Sequence, residues 1–150
     1  MATADVEVPH QKIGKPGTHR IQCVVVTPER TLFDELVDFV ALPLYDGELG
    51  VAPGRTPLIG RLGYGELRTR ESGVTRRYFV DGGFVQVRDD VVTVLTKRAT
   101  PAGQIDVSAA GRELEAAQAR KTTTDYELDE KTQAIARARA MTRVATSAKA

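Results

Sequence analysis

The sequence predicts an all-β sandwich followed by a C-terminal antiparallel α-helical hairpin. From residue 20 to about 98, short apolar runs are separated by glycines, prolines and paired aspartates, a spacing typical of β-sandwiches. After Pro101-Ala102-Gly103 the chain contains no further proline and is rich in Ala, Glu, Arg and Lys, a composition that favours helix. These changes predict a flexible tail over 1–19, a sandwich over 20–103 and a helical arm over 104–150.

The tail prediction rests on prolines and glycines that lie among polar residues without periodicity. Both histidines, His10 and His19, fall in this segment. A metal site or a nucleophile relay based on histidine would therefore have no rigid support, and we expect solvated side chains.

Seven strands are predicted in the sandwich from β-branched and apolar runs. Asp89-Asp90 predicts a hairpin turn, and Gly82-Gly83 predicts a tight corner, because glycine adopts the backbone angles that such corners need. The glycines of GELG and of the segment 60–65 lack the strand-to-helix setting of a phosphate loop, so we interpret them as turn residues. The predicted strands are 21–27, 36–44, 58–62, 66–70, 77–80, 84–88 and 91–97.

Two helices follow. The first is predicted over 108–120, with Asp106 or Ser108 as its N-cap and Ala110, Leu114 and Ala117 as its inner stripe. After a loop at 121–123, Thr124 and Glu127 form a capping box that starts the second helix. Its inner face is predicted to hold mostly small residues, so the seam gains little from burial and the hairpin should be held marginally. That face comprises Leu128, Ile135, Ala138, Met141 and Ala145.

Composition limits the function classes. The formal net charge of +1 argues against a general nucleic-acid binder. Cys23, the single cysteine, lies in the apolar run IQCVVV and is interpreted as a buried strand residue. No apolar run is long enough to cross a bilayer and the first residues do not resemble a signal peptide, so we expect a soluble cytoplasmic protein. The acids Asp34, Glu35 and Asp38 are interpreted as a solvated strand edge, and no residue set predicts an enzyme.

Four short motifs carry a family resemblance. They are DGELG at 46–50, PG-x-x-PL at 53–58, DGG-F-x-x-V at 81–87 and VTVL at 92–95. Together they resemble the epsilon subunit of the bacterial F-type ATP synthase, which corresponds to delta in mitochondria, from about residue 20 to 145. The resemblance implies a non-catalytic rotor subunit of the central stalk that joins the gamma shaft to the membrane c-ring and supports proton-driven ATP synthesis. It also implies a peripheral position on the cytoplasmic face of the bacterial inner membrane, reached only through partners.

The resemblance also implies particular residues. Glu48 would face the polar loops of the c-ring, and the surrounding c-ring contact would include Gly47, Leu49, Gly50 and Arg55, where many relatives have histidine instead of Arg55. Some relatives bind ATP through an Ile-Asp-x-x-Arg-Ala string and two later arginines. Here Asp106 and the pair Arg139 and Arg143 match, but Ala109 replaces the arginine, so ATP binding should be weak and no other cofactor or metal is implied.

The arm of this family moves between a docked and an extended state. In the extended state it meets acidic segments of the catalytic beta subunits, which implies inhibitory contacts for Arg137, Arg139 and Arg143. From Lys131 onward the chain has five basic residues and no acid, an order that also complements the helix dipole.

Other interpretations remain open from sequence alone. The arm could be a docked appendage, Glu48 an ordinary exposed acid and Asp106 only a helix cap. The competing function is a stand-alone β-sandwich ligand-binding module with a helical dimerisation arm. Such a module needs an exposed aromatic platform, and the chain has four Tyr, four Phe and no Trp.

Overall fold

The structure, a computed structural model, describes residues 19–147. It contains eight strands, a short 3₁₀ helix and two α-helices, which confirms the predicted sandwich followed by a helical hairpin. Most of the predicted tail and residues 148–150 lie outside the described part. The elements are β1 (Ile21–Val26), β2 (Thr31–Val37), β3 (Phe39–Leu44), β4 (Gly47–Val51), β5 (Leu58–Glu71), β6 (Val74–Arg88), β7 (Val91–Leu95), β8 (Ala99–Pro101), the 3₁₀ helix (Ala102–Gln104), α1 (Val107–Ala119) and α2 (Asp125–Ser147).

The strands form one hydrogen-bonded path in the order β2-β1-β7-β6-β5-β3-β4, with β8 paired to β6. Strands β1 and β7 run parallel, and every other pair is antiparallel. The path wraps around a single core, because buried side chains from seven of the strands meet in one cluster. Among its fully buried members are Ile21, Val25, Leu42, Leu67, Val80 and Val92.

The single predicted strand over 36–44 is wrong. Asp38 separates the end of β2 from the start of β3. Its backbone N–H donates to the Arg70 carbonyl oxygen at 2.7 Å, and its carboxylate accepts from the Ser72 amide at 2.8 Å. The side chain therefore fastens the β5–β6 turn, and Asp38 is more than a solvated edge acid. Asp34 and Glu35 do lie on β2, which is an edge strand of the sheet.

Three strands were missed: β4, β8 and most of β2, of which only Leu36 and Val37 fell inside a predicted strand. The GELG segment is the strand β4, paired with β3 so that Leu42 lies opposite Leu49. Its glycines lower β-propensity, but Gly50 has a packing role, because a Cβ there would lie 3.0 Å from the Phe39 ring. The three-residue strand β8 was not predicted because it ends in proline, which is uncommon inside a sheet. Only its pairing with β6 identifies it as a strand.

The predicted breaks inside β5 and β6 are also wrong, since each is one long strand of 14 or 15 residues. What changes at the glycines is the face that meets the core. In β6 the core side chains are Tyr78 and Val80 before Gly82-Gly83, and Val85 and Val87 after it. The same change occurs in β5, from Leu62 to Leu67. Tyr64, Phe79 and Asp81 consequently face away from the main core, towards the arm.

Gly83 sits where two backbones approach closely. Its φ is +110°, and a Cβ built there would lie 1.8 Å from the Leu95 carbonyl oxygen. Gly82 also has a positive φ of +65°, but a Cβ there would lie 3.7 Å from the Tyr64 ring, which is an ordinary van der Waals contact and not a clash. The two glycines therefore differ: Gly82 supplies a backbone angle, while Gly83 also supplies space.

The helix starts are confirmed. Asp106 is the N-cap of α1, and its carboxylate accepts from the Ser108 and Ala109 amides at 3.0 and 3.1 Å. Ser108 lies inside the helix. At α2, Thr124 Oγ1 accepts from the Glu127 amide and the Glu127 carboxylate accepts from the Thr124 amide, both at 3.2 Å.

The predicted inner face of α2 is partly wrong, because Leu128 is 50% exposed. At about 100° per residue, Leu128 lies roughly 140° around the helix from Met141 and cannot share its stripe. A second apolar cluster joins the arm to the outer face of β6 and to the 3₁₀ helix. It contains Phe79, Ala102, Ile105, Ala110, Ala140, Met141, Val144 and Ala145, with Tyr64 and Val107 packed against it. Within residues 19–147, no helix is long and apolar enough to cross a membrane.

We expect Gly83→Ala to destabilise the protein by about 3 kcal/mol or more, because the new methyl group meets a carbonyl oxygen that belongs to a paired strand. The neighbouring Gly82→Ala should cost only about 1 kcal/mol, which is the penalty of a left-handed residue without a clash. Urea denaturation of both variants measures the difference. Equal costs would contradict the close approach of β6 to β7.

Candidate functional site

Glu48 is an exposed acid held by a partner. It is the second residue of β4, its side chain is 57% exposed, and its Oε1 accepts a hydrogen bond from Arg68 Nη2 at 2.8 Å. The predicted contact residues around it divide. Gly47, Gly50 and Arg55 lie at the surface, whereas Leu49 is 8% exposed and belongs to the core. The structure thus brings a rigid carboxylate and its flanking glycines together at an edge of the sheet.

Arg68 is itself part of a row of charges. Arg68 and Arg77 lie directly opposite each other on β5 and β6. Such a pairing of like charges is destabilising, because the two guanidinium groups repel each other. Glu66 resolves the conflict, since its carboxylate lies 3.3 Å from Arg68 and 2.8 Å from Arg77 and is only 14% exposed. The sequence showed no signal of this row, because its members meet only through the sheet register.

Three large apolar side chains are exposed on one face of β5, β6 and β7. Phe84 is opposite Leu95 on one side and Arg61 on the other, and Ile59 lies on the same face as Arg61. Ile59, Phe84 and Leu95 are 79%, 57% and 51% exposed. We call these three residues the outer patch. Neighbouring large apolar side chains left open to solvent on one face are typical of protein contact sites.

Arg137 contacts the sandwich instead of projecting freely. Its Nε donates to Asp81 Oδ1 at 2.8 Å, and its guanidinium carbon lies 5.2 Å from the centroid of the Tyr64 ring. Its pKa lies above the ordinary value, because burial, which lowers it, is outweighed by the charge of Asp81 and their hydrogen bond. The sequence predicted this residue as a contact for another protein and missed its partner 56 positions away.

A second arginine, Arg98, contacts the arm from the sandwich side of the same interface. Arg98 of the sandwich lies 6.0 Å from the Phe79 ring centroid, and its Nη2 lies 3.4 Å from Met141 Sδ on α2. Beside these contacts, an open cleft of about 1000 Å³ lies between the first half of α2 and the β5–β6 pair, with Asp81 and Tyr64 among its lining residues. The arm is therefore in contact with the sandwich without being sealed onto it.

Arg139 and Arg143 are exposed on α2. The Asp106 carboxylate is occupied by the α1 cap, and Ala109 occupies the first turn of that helix. Weak ATP contact through Asp106, Arg139 and Arg143 stays a prediction.

The single cysteine is not a reactive site, and the described residues form no metal site. Cys23 is fully buried, and burial together with Glu35 and Asp34 raises its pKa to about 12, so the thiol is unreactive near neutral pH. Over the described residues 19–147, no three His, Cys, Asp or Glu side chains come together as metal ligands.

Comparison with known proteins assigns similarity over most of the chain. Residues 20–102 match the profile described as the ATP synthase delta/epsilon chain, beta-sandwich domain. An ATP synthase epsilon chain from Rhodopirellula baltica is 54% identical over 123 residues, which cover 82% of this chain and 96% of the relative. The epsilon chain from Pelotomaculum thermopropionicum is 44% identical over 70% of this chain and 79% of its own length.

Solved structures share the fold. One chain of the Euglena gracilis mitochondrial ATP synthase assembly of OSCP, F1 and c-ring superposes with a TM-score of 0.75 at 23% identity. The alignment covers 94% of this chain and 88% of that one. A chain from the central stalk and c-ring of the Tetrahymena thermophila mitochondrial ATP synthase gives a TM-score of 0.67 at 14% identity, over 83% and 96% of the two chains.

Proposed function

This chain belongs to the family of ATP synthase delta and epsilon chains, and from that premise we propose that it is a non-catalytic subunit of the central stalk that joins the gamma shaft to the c-ring. The match to the family's sandwich domain and the 54% identity to an epsilon chain carry the assignment to the synthase. They favour it over the stand-alone ligand-binding module considered from the sequence. The similar folds come from assemblies that contain a c-ring, which supports a place in the rotor.

The outer patch is the surface we assign to the gamma shaft. Its three side chains, Ile59, Phe84 and Leu95, lie on adjacent strands and are more than half exposed. Burying one large apolar side chain contributes about 1.5–3 kcal/mol, so three neighbours can supply much of a stable contact. They project from paired strands, and a preorganised surface lowers the entropy cost of association.

We assign Glu48 to the c-ring side. Arg68 holds the carboxylate at 2.8 Å, and Glu66 in turn holds Arg68. A fixed charge of this kind sets the register of an interface more than its affinity. A basic or polar loop would be its fitting partner, and the subunit would sit on the cytoplasmic face of the bacterial inner membrane, where it supports proton-driven ATP synthesis.

The arm is assigned to control of hydrolysis. Over the second half of α2 the charged residues are all basic, and Arg139 and Arg143 are exposed. This half would be attracted to acidic segments of the catalytic beta subunits, where an extended arm would obstruct rotation in the hydrolysis direction. The helix dipole accounts for the order of charges along α2 but does not require the two arginines to be one turn apart.

Phe84→Glu should weaken binding to a purified gamma subunit by about tenfold or more, because the variant removes a large apolar side chain from the contact and brings a charge into it that is costly to bury. Folding should be unaffected, since Phe84 is exposed. Tyr126→Glu, which replaces an aromatic residue 72% exposed on the arm, is the control. Isothermal calorimetry with the gamma subunit measures both. If wild-type chain and both variants fail to bind gamma, the rotor assignment is wrong.

Glu48→Lys should reduce ATP-driven proton pumping by reconstituted synthase while leaving ATP hydrolysis and the unfolding midpoint nearly unchanged. The physical reason is that reversal of one interfacial charge disturbs register, whereas an exposed ion pair adds only about 0.2–1 kcal/mol to stability. Glu29→Lys, at an exposed position between β1 and β2, is the matched control. Pumping equal to that of the control would remove Glu48 from the interface.

Deletion of residues 104–150 should leave assembly intact and raise the rate of ATP hydrolysis. Arg139→Glu with Arg143→Glu should reproduce part of that increase, because both charges are exposed and available to a partner. Arg112→Glu with Arg120→Glu reverses two exposed charges of the first helix and its C-cap and should have little effect. Steady-state ATPase assays of the reconstituted complexes decide between them, and equal rates with and without the arm would exclude an inhibitory role.

A further inference from the structure

We propose that Asp81 and Arg137 form a latch that selects the position of the arm. The structure places Arg137 in contact with the sandwich, and an arm that extends to a partner subunit must give up this contact, because Asp81 stays on β6. The proposal has two halves. The docking half states that the pair holds the arm on the sandwich, and it concerns the isolated chain alone. The partner half states that Arg137 binds another subunit once the arm is released, and it rests on the inhibitory role proposed above.

Asp81 is a fixed acceptor. Its backbone N–H donates to the Arg98 carbonyl oxygen at 3.1 Å and to Thr96 Oγ1 at 3.2 Å. The Thr96 hydroxyl donates in turn to the same Arg98 oxygen at 3.2 Å. The Asp81 side chain is only 10% exposed, so the carboxylate meets the arm from a position that the sheet determines.

Arg137 is held on two sides. Its Nε donates to Asp81 at 2.8 Å, and its guanidinium lies 5.2 Å from the ring centroid of Tyr64. Tyr64 and Asp81 are directly opposite each other on β5 and β6, so one cross-strand pair provides both the anion and the aromatic surface. A charge-assisted hydrogen bond of this kind shifts an equilibrium by roughly ten- to a hundredfold.

The other docking contacts are less directional, and they include the buried apolar side chains Met141 and Val144. Arg98 reaches Met141 through a thioether sulfur, which is a weak acceptor. The buried residues of α2 include three alanines, Ala138, Ala140 and Ala145, which gain little from burial, and an open cleft adjoins the contact. The pair between Asp81 and Arg137 is therefore the most directional contact of the docked arm.

This pair distinguishes Arg137 from the other two predicted contact residues. Arg139 and Arg143 are exposed while the arm is docked, so their contact with a partner does not depend on undocking. Arg137 is 31% exposed and paired with Asp81, so an arm that extends to a partner must first break this pair. Neutralising Asp81 should release the arm and retain Arg137 for the partner, whereas neutralising Arg137 should release the arm and lose that contact.

Thiol labelling of the isolated chain tests the docking half. In a Val144→Cys background, the new thiol replaces a residue 2% exposed in the arm cluster, and Cys23 is buried with a pKa of about 12 and does not compete. Asp81→Asn and Arg137→Gln should each accelerate labelling by 5,5′-dithiobis(2-nitrobenzoate) about tenfold or more. Arg139→Gln, which removes a nearby exposed charge, should leave the rate unchanged.

The double variant Asp81→Asn with Arg137→Gln should label no faster than the faster single variant, because both substitutions remove one interaction. Rates equal to that of Arg139→Gln, or effects that multiply in the double variant, would overturn the latch. Both results are independent of any other subunit.

ATPase measurements on reconstituted complexes test the partner half. Asp81→Asn should inhibit hydrolysis more strongly than wild type, and Arg137→Gln should inhibit less than Asp81→Asn despite equal release. Accelerated labelling with an unchanged ATPase rate would support the latch as a docking device and overturn its link to inhibition. Unchanged labelling overturns the latch whatever the ATPase rate.

Discussion

The structure depends on one constraint in the β5–β6 pair, namely that both strands change the face they present to the core while keeping their register. Gly82 and Gly83 make the change possible in β6, and Gly83 also brings that strand against the Leu95 carbonyl oxygen. Before the glycines the outward residues Phe79 and Asp81 form the seat of the arm. After them, the outward residue Phe84 belongs to the outer patch. One strand pair thus supplies the core, the arm contact and the proposed shaft contact.

The DGGF string illustrates how closely these roles are spaced. Asp81 binds the arm, the two glycines turn the strand, and Phe84 opens the other surface. From sequence alone the string carried part of the family resemblance, and its structural prediction was a corner between two strands. The backbone angles were predicted correctly in kind, because glycine adopts positive φ without steric cost, but the strand continues through them. Local sequence identifies unusual backbone angles and does not reveal whether pairing persists across them.

Features that depend on neighbours in sequence were predictable. The α1 cap at Asp106 and the capping box at Thr124 and Glu127 follow from hydrogen bonds that span two or three residues. Features that depend on the sheet were not. The row of charges formed by Glu66, Arg68 and Arg77 can be recognised only from the register that places Arg68 opposite Arg77. Strand β8 can be recognised only from its pairing with β6, and the contact of Arg137 with Asp81 spans 56 positions. Leu128 was misplaced because it was grouped with Ile135, seven positions away, on the face centred on Met141. It lies on a different side of the helix from Met141.

The chemistry of the arm contact fits a reversible element better than a larger apolar seam would. The buried face of α2 contributes only Met141 and Val144 as large apolar side chains beside three alanines. A helix docked through a full stripe of leucines would expose more apolar surface on release, at about 25 cal/mol per Å², and would invite non-specific association. A guanidinium and a carboxylate are instead rehydrated when they separate, so the net difference between docked and released states stays small. The alanines of α2 permit close approach without adding much attraction. Because two states that differ by only a few kcal/mol respond to a partner with modest differential affinity, an arm fastened by one directional ion pair can be redirected by a single competing surface.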